Sequence, residues 1–214
     1  MKSHLTIALP KGRLFRGAVN ILQKADLGTD ALGHGRRLVF EHPEQGTRFL
    51  ILRPVDIPTY IEYGAADVGI AGKDLLEEQD RDIYEPLDLK FGSCRLVVAQ
   101  PKSRGDPPGS PHSMHWSSIR VATKFPRITE RYFSTKGLPV EIIRLSGSIE
   151  LAPLVGLCER IVDLVETGKT LAENGLVEVD EIMKVTARLI VNRASQKTKY
   201  EQITDLIARL KQVV

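Results

Sequence analysis

The sequence predicts an α/β fold with largely parallel sheets, and three observations carry that expectation. Short apolar runs alternate with amphipathic stretches along the whole chain. Several runs end in a glycine or a cation just ahead of a helical stretch. The alternation also restarts after a single Pro/Gly-rich interruption. Consecutive parallel strands need a crossover long enough for a helix, so strand–helix alternation reads as a layered α/β architecture.

The elements follow in order. "LTIALP" (5–10) reads as a first strand, and "GRLFRGAVNILQKAD" follows with Leu14, Ala18, Ile21, Leu22 and Ala25 at the spacing of one helix face. "RLVFE" and "RFLILRP" are strand-like, and "VDIPTYIEYG" is a short helix stopped by Gly64. "ADVGIAG" is a strand feeding the helix "KDLLEEQ", and "KFGSCRLVVAQP" is a long strand whose alternation breaks at Gly92. The polar, Pro/Gly-rich "PKSRGDPPGSPHSMHW" (101–116) reads as a flexible loop. The pattern then resumes with strand "RVATK", helix "PRITERYFSTKG", strand "VEIIRL", helix "IELAPLVGL" and strand "RIVDLV". "MKVTARLIVNR" reads as a strand and "TKYEQITDLIARLKQVV" as a closing amphipathic helix. No sequence repeat is visible, yet two strand-and-helix halves lie on either side of about residue 90. Two domains with a cleft between them are expected, since ligand sites favour domain interfaces.

Composition narrows the function. With 214 residues, 42% hydrophobic and 27% charged, the chain has an ordinary globular make-up and enough length for a sizeable core. A net charge of +3 suits a small anionic ligand and offers no basic tail for nucleic acid. Cys94 and Cys158 have no metal-ligand spacing and read as buried free thiols of a reducing compartment. The apolar patch in "MKSHLTIALPKGRL" is too short for a signal peptide, and no stretch is long enough to span a membrane, so a cytoplasmic protein is expected. His4, His34, His42, His112 and His115 form no ligand pattern.

"DLVETGKTL" (163–171) resembles the end of a nucleotide-binding P-loop, but the glycine required five positions before Gly168 is Asp163. That count argues against a nucleotide kinase. What remains is a buried-strand pattern, two acids, and Thr167-Gly168-Lys169-Thr170 at a helix start, where free N–H groups and the dipole suit one phosphate. Asp163 and Glu166 suit sugar hydroxyls or a hard cation such as Mg²⁺. An N-capped helix after a core strand is the alternative, and on the nonapeptide alone the two stand level.

Other strand-end loops carry further candidates. Lys11, Gly12 and Arg13 place two cations against the N-terminal dipole of a helix, a conflict that favours a polyphosphate ligand. Arg53 and Asp56 flank a proline-stiffened loop, where a structural Arg–Asp pair is the simpler reading. Ser146, Gly147, Ser148 and Glu150 form either an anion nest or a capped helix start. Gly72 and Lys73 repeat the strand–glycine–cation arrangement. No Ser/His/Asp or Cys/His constellation stands out, as suits a reaction through an oxocarbenium-like sugar that needs electrostatic stabilisation rather than a nucleophile.

Together these stretches resemble the short form of ATP phosphoribosyltransferase, over essentially the whole chain. Glu150, Gly156, Ile161, Asp163, Leu164, Thr167, Gly168, Thr170 and Leu171 stand at the spacing of that family's signature, with Cys158 where a Ser, Ala or Gly is typical. "LPKGRL", "LRPVDIP" and "GIAGKDLL" match in order and position. The resemblance implies a two-domain fold similar to type II periplasmic binding proteins with an inter-domain cleft: residues 1–90 with 185–214, and residues 91–184. It implies the first step of histidine biosynthesis, in which ATP and phosphoribosyl pyrophosphate give N1-(5-phosphoribosyl)-ATP and pyrophosphate. It further implies Mg²⁺ as cofactor and a regulatory partner resembling histidyl-tRNA synthetase in a hetero-oligomer, a hetero-octamer. By this resemblance Lys11, Arg13, Arg53, Asp163 and Glu166 are catalytic, with Asp163 or Glu166 the possible Mg²⁺ contacts. Asp163, Glu166, Thr167, Gly168, Lys169 and Thr170 hold phosphoribosyl pyrophosphate. Lys11, Gly12, Arg13, Arg53, Asp56, Gly72, Ser146, Gly147, Ser148 and Glu150 serve ATP or pyrophosphate. The rival expectation is a two-lobed binding protein that closes on an anion without chemistry.

Overall fold

A computed structural model describes residues 4–29, 32, 37–102 and 118–214. The chain divides into two compact units, Met1–Gly92 with Thr186–Val214, and Ser93–Val185. The first holds β1 (Leu5–Pro10), α1 (Phe15–Lys24), β2 (Val39–His42), β3 (Thr47–Leu52), α2 (Ile57–Glu62), β4 (Val68–Gly72), α3 (Lys73–Gln79) and β5 (Tyr84–Asp88). The second holds β6 (Cys94–Pro101), β7 (Ile119–Thr123), α4 (Pro126–Thr135), β8 (Val140–Arg144), β9 (Arg160–Val165), α5 (Lys169–Glu173) and β10 (Leu176–Val185). The chain then returns to the first unit for β11 (Ala187–Val191), α6 (Arg193–Thr198) and α7 (Tyr200–Val213).

The first sheet runs β2-β3-β1-β4-β11-β5, with β1 parallel to β3 and β4 and the remaining pairs antiparallel. Strand β1 is buried on both faces. Leu5, Ile7 and Leu9 pack with Ala18, Ile21 and Leu22 of α1 and with Ile203, Leu206 and Leu210 of α7. Ala8 faces the other way, toward Ile57 and Ile61 of α2. Each large aliphatic side chain so buried contributes about 1.5–3 kcal/mol. A buried polar knot ties the returning segment to this sheet: Asp67 accepts from Thr6 N, Ser195 Oγ and Lys199 Nζ, each at 2.7 Å. Removing one partner of a buried ion pair costs about 3–5 kcal/mol, so the returning helices are firmly fastened.

The second sheet runs β10-β6-β9-β7-β8, with β7 parallel to β8 and β9, and with β6 and β10 antiparallel. Alternate residues of β9 again serve two cores. Ile161 and Val165 join Ala122, Ile149, Ala152, Cys158 and Leu171, and Val162 packs on Ile128 and Phe133 of α4. The two sheets share one plan: a central strand with parallel neighbours on both sides, then two antiparallel strands beyond one of them. The halves that lack sequence repetition therefore repeat in topology.

The structure corrects the reading of several segments. Both sheets are mixed rather than largely parallel. "IELAPLVGL" forms a 3-10 turn at Ile149–Leu151 and then successive turns, because Pro153 has no N–H and Gly156 takes φ +73°. The long strand expected from Lys90 begins only at Cys94, since Lys90 and Gly92 take positive φ of 54° and 65°. Strand β5 contains Pro86 and sits at the sheet edge, where a missing N–H is tolerated. Strand β10 carries two register shifts, between Glu178 and Asp180 and between Glu181 and Met183, which blur its alternation. Most of the loop expected at 101–116, with His112 and His115, and also His34, lie outside the described residues. Cys94 and Cys158 are both buried, and neither forms a disulfide. Among the described residues no helix is long and apolar enough to cross a membrane.

Candidate functional site

In a parallel arrangement the carboxyl ends of the strands share one edge, and a crevice opens where successive connections leave in opposite directions. In the second unit that point is β7, whose connection through α4 leads to β8 on one side, while β9 lies on the other. A cavity of about 390 Å³ opens at the end of β9, lined by Glu150, Asp163 and residues 164–171. The structure thus brings Asp163, Glu166, Thr167, Gly168, Lys169 and Thr170 to one cavity, together with Glu150, which the sequence reading groups instead with Ser146, Gly147 and Ser148.

The turn leaving β9 is built for exposed amides. Gly168 takes φ +78°, a left-handed conformation that favours glycine, and N-caps α5 without any side-chain cap bond. The first helical amide to find a backbone acceptor is Ala172 N, which donates to Gly168 O at 3.0 Å. Thr167 Oγ1 accepts only a long 3.4 Å bond from Lys169 N. These amides and hydroxyls suit an anion. The Lys169 ammonium instead lies 3.8 Å from Glu173, on the exposed side of the helix.

Asp163 sits on β9 in phase with Ile161 and Val165, facing the core that Leu171 and Ile149 close. Its Oδ1 accepts from Leu164 N at 2.8 Å and lies 3.2 Å from Lys124 Nζ. Lys124 was missed by the sequence reading, which took it as the last residue of a strand. The strand-end cation before a helix, the pattern that marks Lys11, was the signal available. Arg95 and Glu178 behind the turn were missed as well. Arg95 grips Glu178 with Nη1 to Oε2 at 2.7 Å and Nη2 to Oε1 at 3.0 Å, and is paired in register with Val165. Cys158 is buried beside this core, and burial pushes its thiol above the ordinary value, away from reactivity.

Ser146, Gly147 and Ser148 follow β8 at the same edge and are exposed, but they do not line the cavity. Ser148 takes φ 49° and makes no side-chain cap bond, which removes the simple capping reading of this loop. The absent cap has a cause: its left-handed backbone departs from the extended geometry an N-cap uses.

In the first unit the same edge logic gathers another set. The reversal is at β1, flanked by β3 and β4. Pro10 pairs with Leu52, and Lys11 N donates to Leu52 O at 2.8 Å, so Lys11 and Arg53 leave adjacent strand ends. Gly12 takes φ +77° with open space beside its Cα. Lys11, Gly12, Arg13, Arg53 and Asp56 are exposed. The simpler reading expects an ion pair between Arg53 and Asp56, and none links them; Asp56 N instead donates to Arg53 O at 3.0 Å in a turn. Gly72 ends β4 at this edge for a packing reason, since a Cβ there would stand 2.2 Å from Asp74 Oδ1. Lys73 is committed to Glu77 at 3.0 Å and Glu85 at 2.8 Å. Among the described residues no group of three or more His, Cys, Asp or Glu is arranged to hold a metal ion.

Comparison with known proteins adds an independent line. The HisG family, described as ATP phosphoribosyltransferase, matches residues 53–212. A protein of Geobacter metallireducens named ATP phosphoribosyltransferase is 57% identical over the full length of both chains. One of Caldanaerobacter subterraneus, with the same name, is 52% identical over 98% of this chain and 97% of its own. Among solved structures, the ATP phosphoribosyl transferase (HisG:HisZ) complex from Thermotoga maritima superposes with a TM-score of 0.81 at 37% identity, covering 98% of each chain. The periplasmic aliphatic sulphonate binding protein SsuA from Escherichia coli gives a TM-score of 0.62 at 13% identity, covering 100% of this chain and 73% of its own, which speaks for the fold alone.

Proposed function

The chain belongs to the ATP phosphoribosyltransferase family, and from this premise we propose how its loops divide the work. The reaction joins N1 of the ATP adenine to C1 of phosphoribosyl pyrophosphate. The bond from C1 to the pyrophosphate oxygen breaks, and pyrophosphate leaves with the electron pair. The observation that carries the assignment is the cavity where Asp163, Glu166 and the 167–170 turn meet at the end of β9. Amides and hydroxyls of Thr167, Gly168, Lys169 and Thr170 hold the 5′-phosphate, and the carboxylates attend to the ribose. Lys11, Arg13 and Arg53 serve the phosphates of ATP or the leaving pyrophosphate, with Gly12 allowing close approach. Asp56, Ser146, Gly147 and Ser148 complete the ATP and pyrophosphate side, with Gly72 shaping the strand end there, while Glu150, expected on that side, lines the cavity at the end of β9. The expected lobes, 1–90 with 185–214 and 91–184, carry these two sets of loops.

The chemistry of the donor set bears on Mg²⁺. Such an ion is commonly held by one or two carboxylates together with substrate phosphates, rather than by an all-protein cage. Asp163 offers Oδ2, and Glu166 stands at the rim of the same cavity. These residues fit a Mg²⁺ carried in by the substrate's pyrophosphate, where it would neutralise charge on the leaving group. A regulatory subunit resembling histidyl-tRNA synthetase is the proposed partner. Its support is the similarity to a chain solved as a HisG:HisZ complex.

The reading of a two-lobed binding protein without chemistry rests on structures such as SsuA, which share the fold at low identity. An assay of pyrophosphate release separates the two. With ATP, Mg²⁺ and phosphoribosyl pyrophosphate, with and without the regulatory subunit, a transferase releases pyrophosphate in at least one arrangement. Binding without release in both would leave the receptor.

A further inference from the structure

Lys124 is the first residue beyond β7, the strand at which the second sheet reverses its order. Its Nζ lies 3.2 Å from Asp163 Oδ1, and the same oxygen accepts from Leu164 N at 2.8 Å. Oδ1 is therefore held twice, while Oδ2 has no partner among the described residues. The backbone beneath this ion pair is fixed as well. Thr123 pairs in register with Val162, donates Oγ1 to Val162 O at 2.8 Å, and accepts from Phe125 N at 2.9 Å. The residues immediately before Lys124 and before Asp163 are thus bolted together, so the two charged side chains are carried on one rigid frame.

The pair is poorly explained by stability. The Lys124 side chain is 40% exposed, and ion pairs of that kind contribute about 0–1 kcal/mol. Charge balance gives a better account. The cavity is lined by three carboxylates, Glu150, Asp163 and Glu166, and its one lining ammonium, Lys169, lies beside Glu173. A phosphorylated ligand entering there meets negative charge, and Lys124, 3.2 Å from Asp163 Oδ1, offsets part of it. The lysine also leaves one carboxylate oxygen of Asp163 as a fixed, acceptor-only group, which is what recognition of a sugar hydroxyl requires.

We propose that Lys124 is a positioning residue: it fixes Oδ1 of Asp163 so that Oδ2 is presented to the ring hydroxyls of a 5-phosphopentose, making the pair a device that selects ribose over 2-deoxyribose. The inference rests on the functional reading above. A site built to hydrogen-bond a hydroxyl discriminates strongly against the analogue that lacks it, because its own polar group is then left unpaired.

The test measures competition of ribose 5-phosphate and of 2-deoxyribose 5-phosphate against phosphoribosyl pyrophosphate, in whichever assembly releases pyrophosphate. The intact protein prefers the ribose compound by about tenfold or more. Lys124→Met compresses that preference toward unity with KM for ATP within about twofold, and Lys124→Arg restores most of it. Asp163→Asn loses the preference too, and adding Lys124→Met to it changes nothing further. Should Lys124→Met fold poorly, Lys124→Gln carries the same reading. A Lys124 variant that keeps the full preference overturns the inference while leaving the transferase assignment intact. An intact protein that binds the two sugar phosphates equally, or neither, also overturns the inference, whereas the transferase assignment falls only if no assembly releases pyrophosphate.

Discussion

Glu178 Oε1 lies 3.2 Å from where a methyl group on Gly168 would stand. The glycine of the proposed phosphate turn is thus backed by a carboxylate, and that carboxylate is held by both terminal nitrogens of Arg95. Two independent requirements fall on Gly168: a backbone at φ +78°, and room for the group behind it. A bare carboxylate here would repel a bound phosphate, and the Arg95 guanidinium neutralises it.

Gly168→Ala tests this arrangement. The left-handed backbone costs a non-glycine residue about 1–2 kcal/mol, and the methyl also pushes on Glu178. Urea unfolding should show a loss of that order, while the affinity for ribose 5-phosphate, read by calorimetry, should fall several-fold as the amides shift. Unchanged affinity in a destabilised variant would remove the turn from the phosphate site.

Arg53 gives the opposite expectation. It is exposed at the end of β3 and forms no ion pair with Asp56, so its removal leaves the packing untouched. Arg53→Met should change stability by no more than about 0.5 kcal/mol. Loss of a cation that stabilises developing charge on the leaving pyrophosphate should lower kcat by about a hundredfold or more. Near-normal turnover in this variant would show that Arg53 is a solvated surface residue.

The contrast between Gly168 and Lys124 explains what was legible in the sequence. Gly168 lies in a contiguous nonapeptide whose residues all meet in one cavity, so its neighbours along the chain are its neighbours in space. Lys124 reaches Asp163 across 39 positions through a parallel pairing that no local pattern encodes. The same holds for Arg95 and Glu178, joined by antiparallel β6 and β10 at a separation of 83 residues. Strands such as β1 and β9 were readable because burial on both faces leaves a hydrophobic run broken by a single polar residue, Thr6 in one and Asp163 in the other. Strand β10 was not, because its register shifts place polar and apolar residues out of phase. The false helix at 149–157 had the right apolar spacing, but Pro153 and Gly156 overruled it.

Asp180 makes the stability of the second unit depend on acid pH. This residue of β10 accepts from Tyr132 Oη of α4 and from Lys136 Nζ, the residue that caps the helix's C-terminus, and its Oδ1 takes Glu181 N at 2.9 Å. Lys136 first, and Tyr132 after it, hold the carboxyl below the ordinary carboxylate range. A group whose folded pKa is depressed lends stability above its unfolded pKa, about 3.9 for Asp, and that stability fades as pH falls through the lower folded value. The side chain is 41% exposed, so solvent screening keeps the contribution modest. Asp180→Asn should therefore be less stable than the parent protein from about pH 5 to 7, and the gap should close as pH drops below about 4. Paired urea titrations across that range measure it. A gap of equal size at pH 3 and pH 7 would mean that the charge on Asp180 does no fastening between α4 and β10, and that shape alone joins them.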